Sequence, residues 1–342
     1  MIIVYSDTHR RHDPPHEFVD GEFIPYTESP RRAIVLHDAL VAAGIGPSIA
    51  PEDFGLEPIL AVHSADYMDF LRTIYDVWIA EGLTPKAAMA STYPRLGFER
   101  ESLSPHGLLG RYCFDNSVPI TAGTYEASIA SANCALTAAR LVQNGEDVAY
   151  ALCRPPGHHA YRDMAGGFCY INNAAVAAQY LVANGAQRVA VLDIDVHHGN
   201  GTQAIFYDRA DVLFVSLHAG PDWEYPYFAG WPEEKGEGEG YGYNHNFPLP
   251  KHTCDGDYLG VLEQALAIIR QYAPEYLVLS AGVDTYEADP ISHLGLMTPV
   301  FYEIGSRIHD LSVPTVILQE GGYNIEKLGA NVIKLLRGFL QP

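Results

Sequence analysis

Six short apolar runs, at 2–5, 148–152, 188–194, 212–217, 276–281 and 314–318, constrain the fold most. They are too short for stable helices and lack a polar alternation, so each reads as a strand buried on both faces, the mark of a parallel sheet. Ala-rich stretches at 128–143, 172–183 and 257–271 carry helical patterns between some of them. Strands alternating with helices predict an α/β fold: one mainly parallel, multi-stranded sheet with helices on both faces. No unit repeats along the chain and no Pro/Ser-rich linker divides it, so residues 1–342 are expected to form a single domain. Two stretches break the pattern: an insertion at about 82–119 and an aromatic, then Gly/Glu-rich, loop at 221–242. Structureless segments of that length are usually functional.

Composition excludes several classes. The chain is 48% hydrophobic and 18% charged, as globular proteins are. Its net charge of −21 argues against nucleic-acid binding, which needs a basic face. The acidity is read either as a solvation device, as in proteins of salty habitats, or as attraction for a cationic substrate. No apolar run approaches the ~20 residues of a membrane span. The opening "MIIVYSDTH" lacks a basic leader and reads as a first strand, so no membrane association and a cytoplasmic location are expected. Five scattered cysteines without a CxxC pair predict free thiols, mostly buried.

The chemistry lies at the strand ends. In "VLDIDVHHGNGTQ" (191–203), Asp193, Asp195 and His197 are two residues apart and project together if the chain stays extended. Aspartate with histidine suits zinc, although the same letters also fit a helix N-terminus. Three further strands end in polar clusters: "RPPGHHA" with His158 and His159, "SAGVDTYEADP" with Asp284, and "LQEGGYN" with Tyr323. In open α/β sheets such ends face one ligand crevice. Two carboxylates and one imidazole would leave an open metal position, a His pair supplies a base and a Tyr hydroxyl an oxyanion donor. Together these parts describe metal-assisted amide hydrolysis.

The stretches "RPPGHHA", "GGFCYINNAAVAA", "LDIDVHHGNGTQ", "VSLHAG", "AGVDTYEADP" and "QEGGYN" occur in this order from about residue 120 onward, with a weaker echo in "AVHSADYMDFL". They resemble the deacetylase side of the arginase–deacetylase superfamily, and within it the acetylpolyamine amidohydrolases. The chain length, "HEFVDGEFIP" and the 82–119 insertion suggest that branch. The resemblance implies one Zn²⁺ on Asp195, His197 and Asp284, with His159 as general base. His158, paired with Asp193, would be its electrostatic partner, and Tyr323 would polarise the acetyl carbonyl. It also implies structural K⁺ at Asp193, Asp195, His197, Ser216 and Leu217, and a second K⁺ at Phe206, Arg209, Val212 and Tyr243. Phe168 and Tyr225 would wall the substrate tunnel, Gly166 or Gly167 would line it, Gly321 would offer backbone nearby, and Arg32 would lie under the acetate cavity.

Asn200 stands where many histone deacetylases have Asp, giving His159 a neutral partner; a plain turn residue in "GNG" is an equal reading. Glu17, Glu22, His106, Asp115 and Asn116 are candidates for a distal ammonium, or solvated surface. Resembling enzymes pack this insertion against a second subunit, so a homodimer is expected. Trp78, Tyr93, Phe98, Leu103, Leu108 and Leu109 suit such a contact or a satellite core. The expected reaction is deacetylation of a small cationic amine, with acetate and free amine as products. Rivals are a protein deacetylase, a non-catalytic binder, and a two-manganese ureohydrolase, for which Thr285 and Tyr286 after Asp284 supply no second ligand set.

Overall fold

The computed structural model describes residues 1–95, 100 and 102–340. In chain order its strands are β1 (Ile2–Val4), β2 (His16–Val19), β3 (Glu22–Pro25), β4 (Ser48–Ile49), β5 (Val148–Ala151), β6 (Val189–Asp193), β7 (Val212–Ala219), β8 (Asn244–Leu249), β9 (Tyr276–Ala281) and β10 (Thr315–Gln319). Its helices are α1 (Pro30–Ala42), α2 (Glu57–Leu60), α3 (Ala65–Ala80), α4 (Pro105–Tyr112), α5 (Thr124–Gln143), α6 (Asn173–Ala183), α7 (Asn200–Phe206), α8 (Asp255–Tyr272), α9 (Val300–His309) and α10 (Leu328–Gly338).

Eight strands form one parallel sheet in the order β4-β1-β5-β10-β9-β6-β7-β8, and β2–β3 is a separate antiparallel hairpin. The fold is the expected single α/β domain, and all six expected strands are present. The two edge strands were not expected: β4 has only two residues, and β8 reads "NHNFPL", whose polar letters and proline hide it. Proline is tolerated there because an edge strand leaves one side unpaired.

Strand residues alternate between two cores. Ala149, Val191, Val278 and Val316 face the layer of α3, α5 and α6, whereas Tyr150, Leu192, Leu279 and Ile317 face that of α1, α8, α9 and α10. Helices thus cover both faces. Ala-rich α5 and α6 are buried almost all round, because small side chains let helices sit close to the sheet and to each other.

The strands that carry the four polar clusters, β5, β10, β9 and β6, are consecutive at the centre of the sheet. All four run parallel, so their C-terminal loops emerge side by side. Within the insertion, α4 packs on α3 and residue 113 bridges residue 165, which ties it to the loop after β5. Trp78 and Leu109 are buried there, and Leu108 packs partly buried on them; these residues join the core between the sheet and α3, α5 and α6 and form neither a separate satellite core nor a free contact face. Tyr93 and Leu103 are exposed. Phe98, named with them above, lies outside the described residues.

Candidate active site

Strand β6 ends at Asp193, earlier than the spacing suggested. The carboxylates bend the chain: Asp193 Oδ1 accepts from Asp195 N (3.1 Å), and Asp195 Oδ1 from His197 N (2.9 Å). Aspartates commonly cap the backbone two residues on in this way. As a result Asp193, Asp195 and His197 do not project as one row. Asp193 turns to His158, while Asp195 and His197 meet Asp284, which follows β9.

Ligand-capable atoms of Asp195, His197 and Asp284 lie within 4.8 Å of one another, and all three residues are buried. Their charges conflict as they stand. Burial, then the charge of Asp195, pushes Asp284 up to about 7. Asp284 Oδ2 has no hydrogen-bond partner. Gly321 N–H donates to Asp195 Oδ2 at 2.8 Å and Val196 N–H to Asp284 Oδ1 at 3.0 Å, so each carboxylate is oriented from outside the triad. A divalent cation resolves both the orphaned oxygen and the repulsion, and one nitrogen with carboxylate oxygens is a donor set that zinc accepts. The residues fit the metal.

Both histidines of "GHH" face this triad from the β5 loop. His158 Nδ1 lies 3.0 Å from Asp193 Oδ2. Burial opposes its charge, but Asp193 and Asp195 outweigh this and raise it to about 10. His159 Nδ1 lies 2.7 Å from Asn200 Oδ1. The amide oxygen only accepts, so Nδ1 carries the proton and Nε2 is left as a free base. Burial, with the charges of His158 and His197 adding, holds His159 well below the usual imidazole range. Adjacent residues are therefore one cationic and one neutral imidazole, set apart by their partners. Asn200 serves both of its readings: it opens α7 and it orients His159.

Tyr323 follows β10 and is 8% exposed. Asp289 accepts its N–H at 2.7 Å, and the Arg32 guanidinium lies 4.4 Å from its ring centroid. Arg32 in turn donates to Glu320 O and Gly322 O (both 2.7 Å) and to Glu28 Oε1 (2.8 Å). Burial raises the phenol, with the Arg32 charge opposing, so it stays protonated and able to donate.

A cavity of about 410 Å³ opens onto His159, His197 and Tyr323. Phe168 and Tyr225 wall it, with Gly167 between them; Glu17 and Glu224 add carboxylates. Tyr225 stands edge-on to His159, ring centroids 4.9 Å apart. Gly167 must be glycine: its φ is +53°, and a Cβ there would run into the His159 ring.

Two expected substrate residues are placed differently. His106 is exposed on α4, its ring packed edge-on against Trp78, outside the cavity of one chain. Asp115 has both oxygens engaged within the protein, by Ser117 N, Gly167 N and the Tyr225 hydroxyl. Sequence reasoning missed Glu224, Ile24 and Ile291 as lining residues, and Glu28 and Glu320 beneath the site. Glu224 adjoins Tyr225 in "DWEYP", the one signal that pointed to it.

Residues 26–339 match the histone deacetylase domain. The chain belongs to the histone deacetylase family. It is a deacetylase of that family. It is 46% identical to acetylpolyamine amidohydrolase 2 of Pseudomonas aeruginosa, covering 99% of this chain and 98% of that protein. It is 41% identical to acetylpolyamine amidohydrolase of Mycoplana ramosa, covering 99% of each. The crystal structure of acetylpolyamine aminohydrolase from Burkholderia pseudomallei superimposes with a TM-score of 0.94 at 44% identity, covering 99% of this chain and 98% of that one. Among the described residues no helix is long and apolar enough to cross a membrane, and all five cysteines are free, four of them buried.

Proposed function

We propose that this family deacetylase is zinc-dependent and removes acetyl groups from small N-acetylated polyamines or diamines, of the acetylputrescine or acetylcadaverine type, in the cytoplasm. One observation carries the reading: His159, Tyr323 and His197, the last of the buried Asp195–His197–Asp284 cluster, line one cavity that also holds carboxylates. The substrate class follows the names of the relatives, and Glu17 and Glu224 supply negative charge for a free ammonium.

Zinc held by Asp195, His197 and Asp284 would supply Lewis acidity toward the acetyl oxygen and the attacking water. His159 Nε2 takes a proton from that water as it adds to the carbonyl carbon; its neutral state is fixed by burial and by Asn200. The Tyr323 hydroxyl donates to the developing oxyanion. Arg32 under the ring and Asp289 on its backbone hold Tyr323 in place. His158, kept charged by Asp193, delivers a proton as the C–N bond breaks. Acetate and the free amine are the products. Phe168 and Tyr225 grip the methylene chain and exclude water.

The reading includes structural potassium. It would lie at Asp193, Asp195, His197, Ser216 and Leu217, of which Asp193 pairs in register with Ser216 across β6–β7. Phe206 and Arg209 close one turn, and Val212 begins β7 beside Tyr243, whose carbonyl accepts from Phe214 N at 2.9 Å. A homodimer joined through the 82–119 insertion is also part of the proposal, with exposed Tyr93 and Leu103 available to it.

The test is acetate release from acetylputrescine, acetylcadaverine, acetylspermidine and an acetyl-lysine peptide, side by side. The diamines should give the highest kcat/KM. Equal efficiency on the peptide would replace the polyamine reading with a protein deacetylase.

A further inference from the structure

The insertion reaches the tunnel through one side chain. Its Tyr112–Phe114 stretch runs beside Ala165, with Ala165 N donating to Tyr112 O (2.8 Å) and Phe114 N to Ala165 O (2.9 Å). This delivers Asp115 to a place between two other loops. Asp115 Oδ2 accepts from the Tyr225 hydroxyl at 2.6 Å and from Gly167 N at 2.9 Å; Oδ1 accepts from Ser117 N at 2.9 Å. Tyr225 belongs to the loop after β7, and Gly167 to the loop after β5, so one carboxylate bridges two walls that share no strand.

We propose that Asp115 is a positioning residue that ties the insertion to both tunnel walls, fixing the Tyr225 ring and thereby which alkyl chain can pass. Three observations carry this. The Tyr225 phenol, half in an apolar cavity, has its hydroxyl spent on Asp115, so the ring presents a face and an edge to the chain and no polar atom. The ring is also backed by Phe114, stacked at 6.5 Å with an 18° tilt, so the same two residues of the insertion set its height and its angle. The ring edge meets His159 (4.9 Å) and His197 (6.0 Å), so a swing of Tyr225 changes the space immediately over the reacting carbonyl. A short hydrogen bond to a carboxylate is the strong kind, about twice a neutral one, and removing the carboxylate would be costly because the Tyr225 hydroxyl and Gly167 N would both be left unpaired.

The consequence for selectivity rests on the deacetylase reading above. With the ring fixed, the tunnel accepts an unbranched methylene chain and rejects a branch near the acetamide. With the ring released, the branch is tolerated and the unbranched chain is held less well, so KM rises more than kcat falls.

The experiment compares N-acetylputrescine with its analogue bearing a methyl group on the carbon next to the acetamide nitrogen. Enzymes are wild type, Asp115→Ala, Asp115→Asn, Tyr225→Phe and the Asp115→Ala/Tyr225→Phe double variant. We expect the unbranched-to-branched kcat/KM ratio to fall at least fivefold in Asp115→Ala and Tyr225→Phe, chiefly through KM for the unbranched substrate. Asp115→Asn, whose amide oxygen can still accept from the Tyr225 hydroxyl and Gly167 N while its NH2 loses the Ser117 N bond, should keep the ratio nearer to wild type than Asp115→Ala does. The double variant should be no worse than Asp115→Ala. An unchanged ratio in well-folded Tyr225→Phe, or strictly additive effects, would overturn the proposal, and Tyr225→Phe decides the matter if Asp115→Ala does not fold. A crystal structure of Asp115→Ala or of Tyr225→Phe reads the clamp without turnover. A displaced or split ring at 225 is expected, and a ring unmoved in both variants overturns the clamp whatever substrate the wild type prefers. Failure of the wild type on N-acetylputrescine would instead count against the polyamine reading alone.

Discussion

Gly321→Ala tests the ligand set without touching a ligand. Gly321 sits against the two carboxylates of the triad, and its N–H holds Asp195 Oδ2 at 2.8 Å. A Cβ at this position would overlap Asp284 Oδ2 and lie 2.6 Å from Asp195 Oδ2 and 2.8 Å from Asp284 Cγ, whereas ordinary contact begins at 3.4 Å. The Asp195 oxygen alone must therefore retreat by about 0.8 Å, several times the ~0.2 Å that a metal–ligand distance tolerates. Changes around a ligand cost about 10- to 100-fold in metal affinity. Displacing two ligands together should cost at least ~10²-fold, or about 2.7 kcal/mol. The assay is zinc content after dialysis against a weak chelator, with melting followed with and without added zinc. Wild type should retain about one zinc per chain and melt higher when loaded. Gly321→Ala should retain little zinc and show no zinc-dependent shift. Gly260→Ala is the control, because a Cβ at that exposed helical position meets nothing within 4 Å. Full zinc retention by Gly321→Ala would refute the assignment of Asp195 and Asp284 as ligands.

Three further outcomes are expected. His159→Ala and Tyr323→Phe should keep their zinc yet lose at least ~10²-fold in turnover, since a general base and an oxyanion donor each contribute about that much; near-wild-type rates in either variant remove that residue from the mechanism. Glu28→Ala strands the Arg32 and Arg154 guanidiniums that share Glu28 Oε1, which should cost about 3–5 kcal/mol in urea unfolding; a loss below ~1 kcal/mol contradicts the buried network. His63 is lowered to about 4 by burial, and its Nε2 accepts from Asn172 N. Because the unfolded chain binds this proton first, its contribution is intact above about pH 6.5 and falls as pH drops toward 4, by about 2 kcal/mol at pH 5. His63→Gln should flatten that part of the pH–stability curve, and an unchanged slope would show that His63 is not its source.

The parallel core was legible because β5, β6, β7, β9 and β10 are buried on both faces, and continuous apolar runs leave few other readings. Edge elements were not. The hairpin β2–β3, which delivers Glu17 to the cavity, has exposed Phe18, Val19 and Phe23 and no core pattern to announce it. The candidate site was legible because ligands of open α/β sheets bind outside the carboxyl ends of the strands, where these ionisable groups stand. The resemblance gave the right partnerships, whereas the spacing of residues alone did not. The Asp193 side chain pairs with His158, and the triad takes Asp284 in its place, because backbone hydrogen bonds turn the chain after residue 193, a local event that period-2 spacing does not encode. Asp115 shows the same limit. Its acidic character suggested an ammonium ligand, but its neighbours Tyr225 and Gly167 are 110 and 52 residues away in sequence. Glu320 sits inside "QEGGYN", yet the motif does not announce its partners: it lies buried under the His158 loop, accepting from Gly157 N at 2.7 Å and His158 N at 3.3 Å.

The most direct test of the account follows the oxygen. Zinc-loaded wild type is incubated with N-acetylputrescine in ¹⁸O-enriched water, and acetate and putrescine are quantified by mass spectrometry, with His159→Ala/Tyr323→Phe at equal zinc content in parallel. The account predicts putrescine and acetate in equal amounts, a single ¹⁸O in each acetate, and no turnover above background in the double variant. Unlabelled acetate, absence of acetate from the wild type, or wild-type rates in the double variant would contradict it.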